Sequence, residues 1–167
     1  MARLIIAALL CAVLSVSCIK DDEPQEFELS VGDRIPEFSV EMADGTTVSS
    51  GSLQRGVALV MFFHTSCPDC RNTLPSVQMI YQQYNSNIKI LLISREQNAD
   101  EIALYWDEMG YSMPYSPQST RRVYNLFATS RVPRVYISKD GVIKSIYTDN
   151  PIPSFEDLKR DIETLLK

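Results

Sequence analysis

Two almost uninterrupted apolar runs, VALVMFF at residues 57–63 and IKILLIS at residues 88–94, restrict what this chain can fold into more than any other feature. A strand apolar on both faces has to be covered on both faces, which places it inside a parallel or mixed sheet flanked by other layers. Between the runs, Leu74, Val77, Tyr81 and Tyr84 recur at helical spacing, so residues 57–94 read as a strand, helix, strand unit with parallel pairing and a right-handed crossover. The neighbouring elements agree with an α/β class. FSVEM at 38–42 alternates as a strand and runs into the turn signal Asp44-Gly45-Thr46. Asn98 with Glu101 predicts the start of a second helix, with Ile102, Tyr105, Trp106 and Met109 on one side and Gly110 at its end. Residues 119–127 predict a shorter helix and residues 134–147 a closing hairpin. Ser154 with Asp157 opens a last helix that turns Leu158, Ile162, Leu165 and Leu166 inward.

The junction between the first apolar run and its helix carries Cys67-Pro68-Asp69-Cys70. The chain has four cysteines, of which Cys11 and Cys18 lie near the N-terminus, leaving this pair in the body of the sequence. A structural disulfide across so short a loop removes little unfolded-state entropy, because that stabilisation grows with loop length. A structural zinc site needs about four ligands, whereas the folded region offers two thiols and the single histidine, His64. Redox chemistry fits the position better. A cysteine at a helix N-terminus faces unpaired backbone N–H groups and the positive end of the helix dipole, which favour the thiolate that attacks disulfides. Cys67 has that place, and Cys70, one turn further on the same face, is placed to attack a mixed disulfide and release the product. No metal ion or other cofactor is expected.

Residues 1–17 place Arg3 before a run of Leu, Ile, Ala and Val that ends in small residues, the layout of a secretory signal. The uncharged stretch is shorter than the roughly 20 residues a membrane-spanning helix needs. The segment LSVSC, ending at Cys18, resembles a bacterial lipobox, with Ser15 where Leu is usual; it implies cleavage before Cys18 and acylation of that residue. Residues 19–30 are polar and acidic, the composition of a tether, and Lys20-Asp21-Asp22-Glu23 is similar to the acidic signal that directs some lipoproteins to the outer face of the outer membrane. The expected organisation is a leader at 1–17, a lipidated cysteine and tether at 18–30, and one domain over 31–167. The net charge of −5, with no basic stripe or aromatic ladder, argues against nucleic acid as a partner.

FFHTSCPDCRNTLP at 62–75 followed by SRVPRVYISKDGVI at 130–143 resembles the thioredoxin superfamily, and more narrowly its TlpA-like membrane-anchored thiol-disulfide oxidoreductases. The opening at residues 31–49 is similar to that branch and to the neighbouring AhpC/TSA peroxiredoxins. The resemblance implies a thioredoxin-like three-layer α/β/α fold with a central mixed sheet, a catalytic Cys67–Cys70 pair that cycles through a disulfide, and a cis Pro133 facing it. It implies substrate contacts from Val132, Ser66, Pro68 and Asp69, protein dithiols or disulfides as substrates, and a separate extracytoplasmic electron donor. Glu96 matches in position an acidic residue that such proteins keep near the dithiol as a proton acceptor. Two residues depart from the pattern: Ser66 stands where Trp is usual, and the Asp69 carboxylate opposes thiolate formation. A peroxiredoxin would carry Pro seven and Thr or Ser three residues before its reactive cysteine. Those places hold Val60 and His64 for Cys67, and Phe63 and Cys67 for Cys70, so the peroxide motif is absent. A non-catalytic binding lipoprotein on the same fold is the alternative outside enzymes, and it requires a dead or buried dithiol.

Overall fold

The computed structural model describes residues 27–167. The leader, Cys18 and the acidic segment at 20–23 lie outside the described residues. Seven strands and three helices follow in chain order: β1 Ser39–Glu41, β2 Thr47–Ser49, β3 Val57–Phe63, α1 Pro68–Tyr84, β4 Lys89–Ser94, α2 Ala99–Met109, β5 Tyr115–Ser116, β6 Arg134–Lys139, β7 Val142–Tyr147 and α3 Phe155–Leu166. The main sheet has the order β5-β4-β3-β6-β7, with β4 parallel to both β3 and β5, and β6 antiparallel to both β3 and β7. It is therefore mixed, with β3 at its centre and all seven β3 residues buried. Each large β3 side chain removed from water in this way contributes ~1.5–3 kcal/mol, which is why this run organises the fold.

Adjacent β3 residues point to opposite faces and meet different layers. Phe63 packs on Trp106 of α2, with ring centroids 5.1 Å apart. Phe62, on the other face, meets Tyr124, Phe127 and Tyr136 in an aromatic cluster that Phe38 extends. Helices α1 and α3 pack together, joined by a hydrogen bond from the Tyr84 hydroxyl to Glu163. The result is a thioredoxin-like three-layer α/β arrangement. The helix ends follow their sequence signals. Asn98 caps α2 by accepting from the Glu101 N–H, Gly110 ends it at φ 65°, and Ser154 and Asp157 form a reciprocal capping box on α3.

Three expectations are corrected, for residues 119–127, Met109 and Leu166. Residues 119–127 hold only a short 3-10 turn, Tyr124–Leu126, because Tyr124 and Phe127 are drawn into the cluster around Phe62 and no side chain caps the turn. Met109 and Leu166 are exposed rather than inward, each lying in the last turn of its helix. Strand β5 carries no signal beyond its two residues and is bracketed by Pro114 and Pro117, as suits a short sheet edge. Ahead of β1, the Leu29 N–H donates to the Phe127 carbonyl at 2.8 Å, and the Glu28 carboxylate pairs with Arg134. Arg134 is nearly buried and needs that counter-charge, so Glu28 and Leu29 are tied to the body of the sheet.

Candidate active site

Strand β3 delivers the chain into a tight turn at residues 64–67, where the Cys67 N–H donates to the His64 carbonyl at 3.0 Å. Cys67 is the N-cap of α1, with extended backbone at φ −82° and ψ 120°, and Pro68 occupies the first helical position, where its missing N–H costs nothing. Cys70 lies one turn in and is fully buried, while Cys67 is partly exposed; both are free thiols. The β3–β6 pairing sets Arg134 opposite Phe62, which brings the preceding Val132-Pro133 beside the turn. That peptide bond is cis, and the Cys67 thiol donates to the Val132 carbonyl at 3.3 Å. Ser66 and Pro68 are exposed and Asp69 partly so, all on the same rim as Cys67.

The two thiols differ in environment. Burial pushes the Cys70 thiol far above its ordinary value; the adjacent Cys67 thiol adds to this, while the His64 backbone and Arg95 partly oppose it. Cys70 therefore rests protonated behind an accessible Cys67. A raised folded-state value means that the neutral thiol contributes stability fully below the unfolded thiol value of ~8.5 and loses it as pH rises toward the folded value. Reduced wild-type protein is expected to lose about tenfold more in its folding constant, per pH unit above ~8.5, than Cys70→Ala. Urea midpoints at pH 7, 9 and 10 check this, and parallel pH profiles for the two proteins would count against a buried neutral thiol.

His64 is held below its usual value, first by burial and then by Arg95. Its Nδ1 accepts from the Ser66 N–H at 3.2 Å and sits 2.9 Å from the Ser66 hydroxyl, so it braces the turn as a neutral ring. Glu96 is drawn below the carboxylate range mainly by its hydrogen bond to Arg121, with Arg95 adding to the effect at 3.2 Å. A carboxylate so paired is a poor proton acceptor. Its carboxylate is shared between the Arg121 and Arg95 guanidinium groups.

Several residues at this site carried no signal in the sequence. Gln97, almost fully buried, clamps Thr65 at two points: its Oε1 accepts the Thr65 N–H at 3.0 Å and its Nε2 donates to the Thr65 hydroxyl at 2.5 Å. Arg71 Nε donates to the Thr65 carbonyl at 2.5 Å, so every polar group of Thr65 is engaged, two residues before Cys67. Gln97 is itself fixed by Ser94 at the end of β4, whose hydroxyl also accepts the Gln118 N–H. Such contacts join residues far apart in the chain, and a lone glutamine in a loop does not announce them.

Sheet order, a CxxC at the β3–α1 junction and a facing Val132-Pro133 together define a thioredoxin-superfamily protein of the TlpA-like kind. Residues 31–146 match the AhpC/TSA family, and the chain belongs to that family. It is similar to the thiol-disulfide oxidoreductase ResA of Oceanobacillus iheyensis, 26% identical over 149 residues that cover 86% of this chain and 75% of the relative. It is also similar to the thioredoxin-like protein YneN of Bacillus subtilis, 21% identical over 83% of this chain and 84% of that protein. Among solved structures, a thiol:disulfide interchange protein of the thioredoxin family from Chlorobium tepidum superposes with a TM-score of 0.70 at 21% identity, covering 83% of this chain and 99% of the other. The thioredoxin domain of a Bacteroides vulgatus thiol-disulfide oxidoreductase gives 0.69 at 17% identity, covering 84% and 100%. The chain is an oxidoreductase of the thiol-disulfide class.

Proposed function

We propose that the chain reduces disulfides in extracytoplasmic proteins through Cys67 and Cys70, while held to a bacterial membrane by lipid on Cys18. The observation that carries the redox reading is the inequality of the two thiols, one at the surface on a helix N-terminus and one buried behind it. Cys67 thiolate attacks one sulfur of the substrate disulfide, forming a Cys67–substrate bond and releasing a first thiolate that takes up a proton. Cys70 then gives up its proton and attacks the Cys67 sulfur, forming the Cys67–Cys70 disulfide and releasing the second substrate thiol. The substrate gains two electrons and two protons, and the protein dithiol loses them. An extracytoplasmic donor dithiol has to return them before the next turnover.

Val132 and Pro133, with Ser66, Pro68 and Asp69, form the proposed rim that meets the substrate backbone. The direction of flow is set by the dithiol's reduction potential, measured by equilibration in glutathione or dithiothreitol buffers. A value near thioredoxin's ~−270 mV supports a reductase, and one near DsbA's ~−120 mV contradicts it in favour of an oxidase. The address is tested by metabolic labelling with clickable palmitate. Wild type is expected to incorporate label and Cys18→Ala is not, whereas an unlabelled wild type reduces the leader to an ordinary secretory signal. Among the described residues no helix is long and apolar enough to cross a membrane.

A further inference from the structure

Thr65 lies in the turn between β3 and α1, and because it is buried its N–H, carbonyl and hydroxyl all need partners inside the protein. Two side chains from different elements supply them. Gln97, in the loop between β4 and α2, accepts the Thr65 N–H and donates to its hydroxyl. Arg71, the residue after Cys70 in α1, donates from its Nε to the Thr65 carbonyl. The turn that carries Cys67 is thereby tied to the helical turn that carries Cys70, and both are tied to β4. Gln97 is itself seated firmly. Its N–H donates to the Ser94 hydroxyl at 3.2 Å, and its carbonyl accepts from that hydroxyl at 3.1 Å and from the Gln118 N–H at 3.1 Å. Ser94 ends β4 and is fully buried.

Disulfide exchange between neighbouring thiols depends on such fixation. Groups held in the right geometry react as though at concentrations far above any in solution, and a misplacement of ~1 Å costs up to ~10²-fold. Building on the reading of Cys67 and Cys70 as an exchanging dithiol, we infer that Gln97 is a positioning residue for ring closure, its carboxamide holding the Thr65 turn so that the Cys67 sulfur stays within bonding reach of Cys70. In that step Cys70 gives up its proton and its sulfur bonds to the Cys67 sulfur. The bond from Cys67 to the substrate sulfur breaks, and the substrate leaves as a thiolate that takes up a proton. Being buried, Gln97 acts through Thr65 and not on the substrate. Without the carboxamide the Thr65 N–H and hydroxyl lose their partners, which is unfavourable for buried groups, and the turn loosens.

The fold supplies its own control. Gln78, also buried, makes the same two-point contact elsewhere: its Nε2 donates to the Ser112 hydroxyl at 2.9 Å and its Oε1 accepts the Ser112 N–H at 3.1 Å. It lies on α1 eight residues past Cys70, about 12 Å along the helix. Loss of that contact disturbs packing without touching the Cys67 turn.

The measurement is the equilibrium of the protein with glutathione, quenched with acid and counted by mass spectrometry. Its constant describes reduced protein and oxidised glutathione giving the Cys67–Cys70 disulfide and two reduced glutathiones. Gln97→Met, which keeps the bulk of the side chain and removes both hydrogen bonds, should lower the constant about tenfold. Thr65→Val, which removes the hydroxyl alone, should lower it about threefold, and it carries the test if Gln97→Met does not fold. Gln78→Met should stay within about twofold of wild type, as expected for a distant site. An unchanged or raised constant in Gln97→Met, or an equal fall in Gln78→Met, overturns the positioning role. Wild-type protein that never forms the Cys67–Cys70 disulfide with glutathione refutes the exchange reading itself, before any substitution is made.

Discussion

The Cys70→Ser protein is expected to stop at a mixed disulfide with its substrate, and the Cys67→Ser protein to form none. With insulin as the probe, mass spectrometry under non-reducing conditions should find an insulin chain attached at Cys67 in the first variant and unmodified protein in the second. Cys67 is the thiol that reaches the surface, while Cys70 is fully buried behind it. Without Cys70 the bond to substrate has no internal nucleophile to break it. Residues that act as a unit lose nearly all activity together, so multiple-turnover reduction should fall on the order of a thousandfold or more in both variants. Wild-type reductase activity in both would show that the exchange occurs elsewhere.

The second large effect concerns stability. Arg134 opens β6 directly after Pro133; its side chain is only 6% exposed, and its charge is met by Glu28, with a further bond to the Ser130 carbonyl at 2.9 Å. Removing one partner of such a pair strands a buried charge at a cost of ~3–5 kcal/mol where both are buried. Glu28 is 39% exposed and water can partly replace it, so Glu28→Ala is expected to destabilise by about 2–3 kcal/mol. A chain begun at Val31 should lose more, because the Leu29 bond to Phe127 goes as well. Urea midpoints of the two proteins check this. An unchanged midpoint for the shortened chain would show that the Glu28 and Leu29 contacts add nothing to stability.

Much of the architecture was legible because it depends on local pattern. The two apolar runs became β3 and β4 with parallel register, and the paired capping signals at Asn98 and Ser154 opened α2 and α3. What the pattern missed was decided by tertiary contact. The helical spacing of residues 119–127 yielded to the pull of Phe62 and Tyr136 on Tyr124 and Phe127. Glu28 reads as one more acid in a polar stretch until Arg134, 106 residues away, is brought beside it. The same holds at the site. Cys67 and Cys70 stand out by type and spacing, and Pro133 through the resemblance to the thioredoxin superfamily, but Gln97 and Thr65 lie 32 residues apart and become a clamp only once β3 and β4 pair. Glu96 was placed near the turn by its position after β4, and only the structure shows its charge committed to Arg121 and Arg95.

The central claim is that Cys67 and Cys70 pass two electrons to a protein disulfide, and a single-turnover balance with insulin tests it most directly. Fully reduced protein is mixed with oxidised insulin in the absence of other thiols, quenched with acid and alkylated, and the products are counted by mass spectrometry. One Cys67–Cys70 disulfide should appear for each insulin disulfide opened. Intact insulin alongside protein that still alkylates at both cysteines, under conditions where dithiothreitol opens insulin readily, would contradict it.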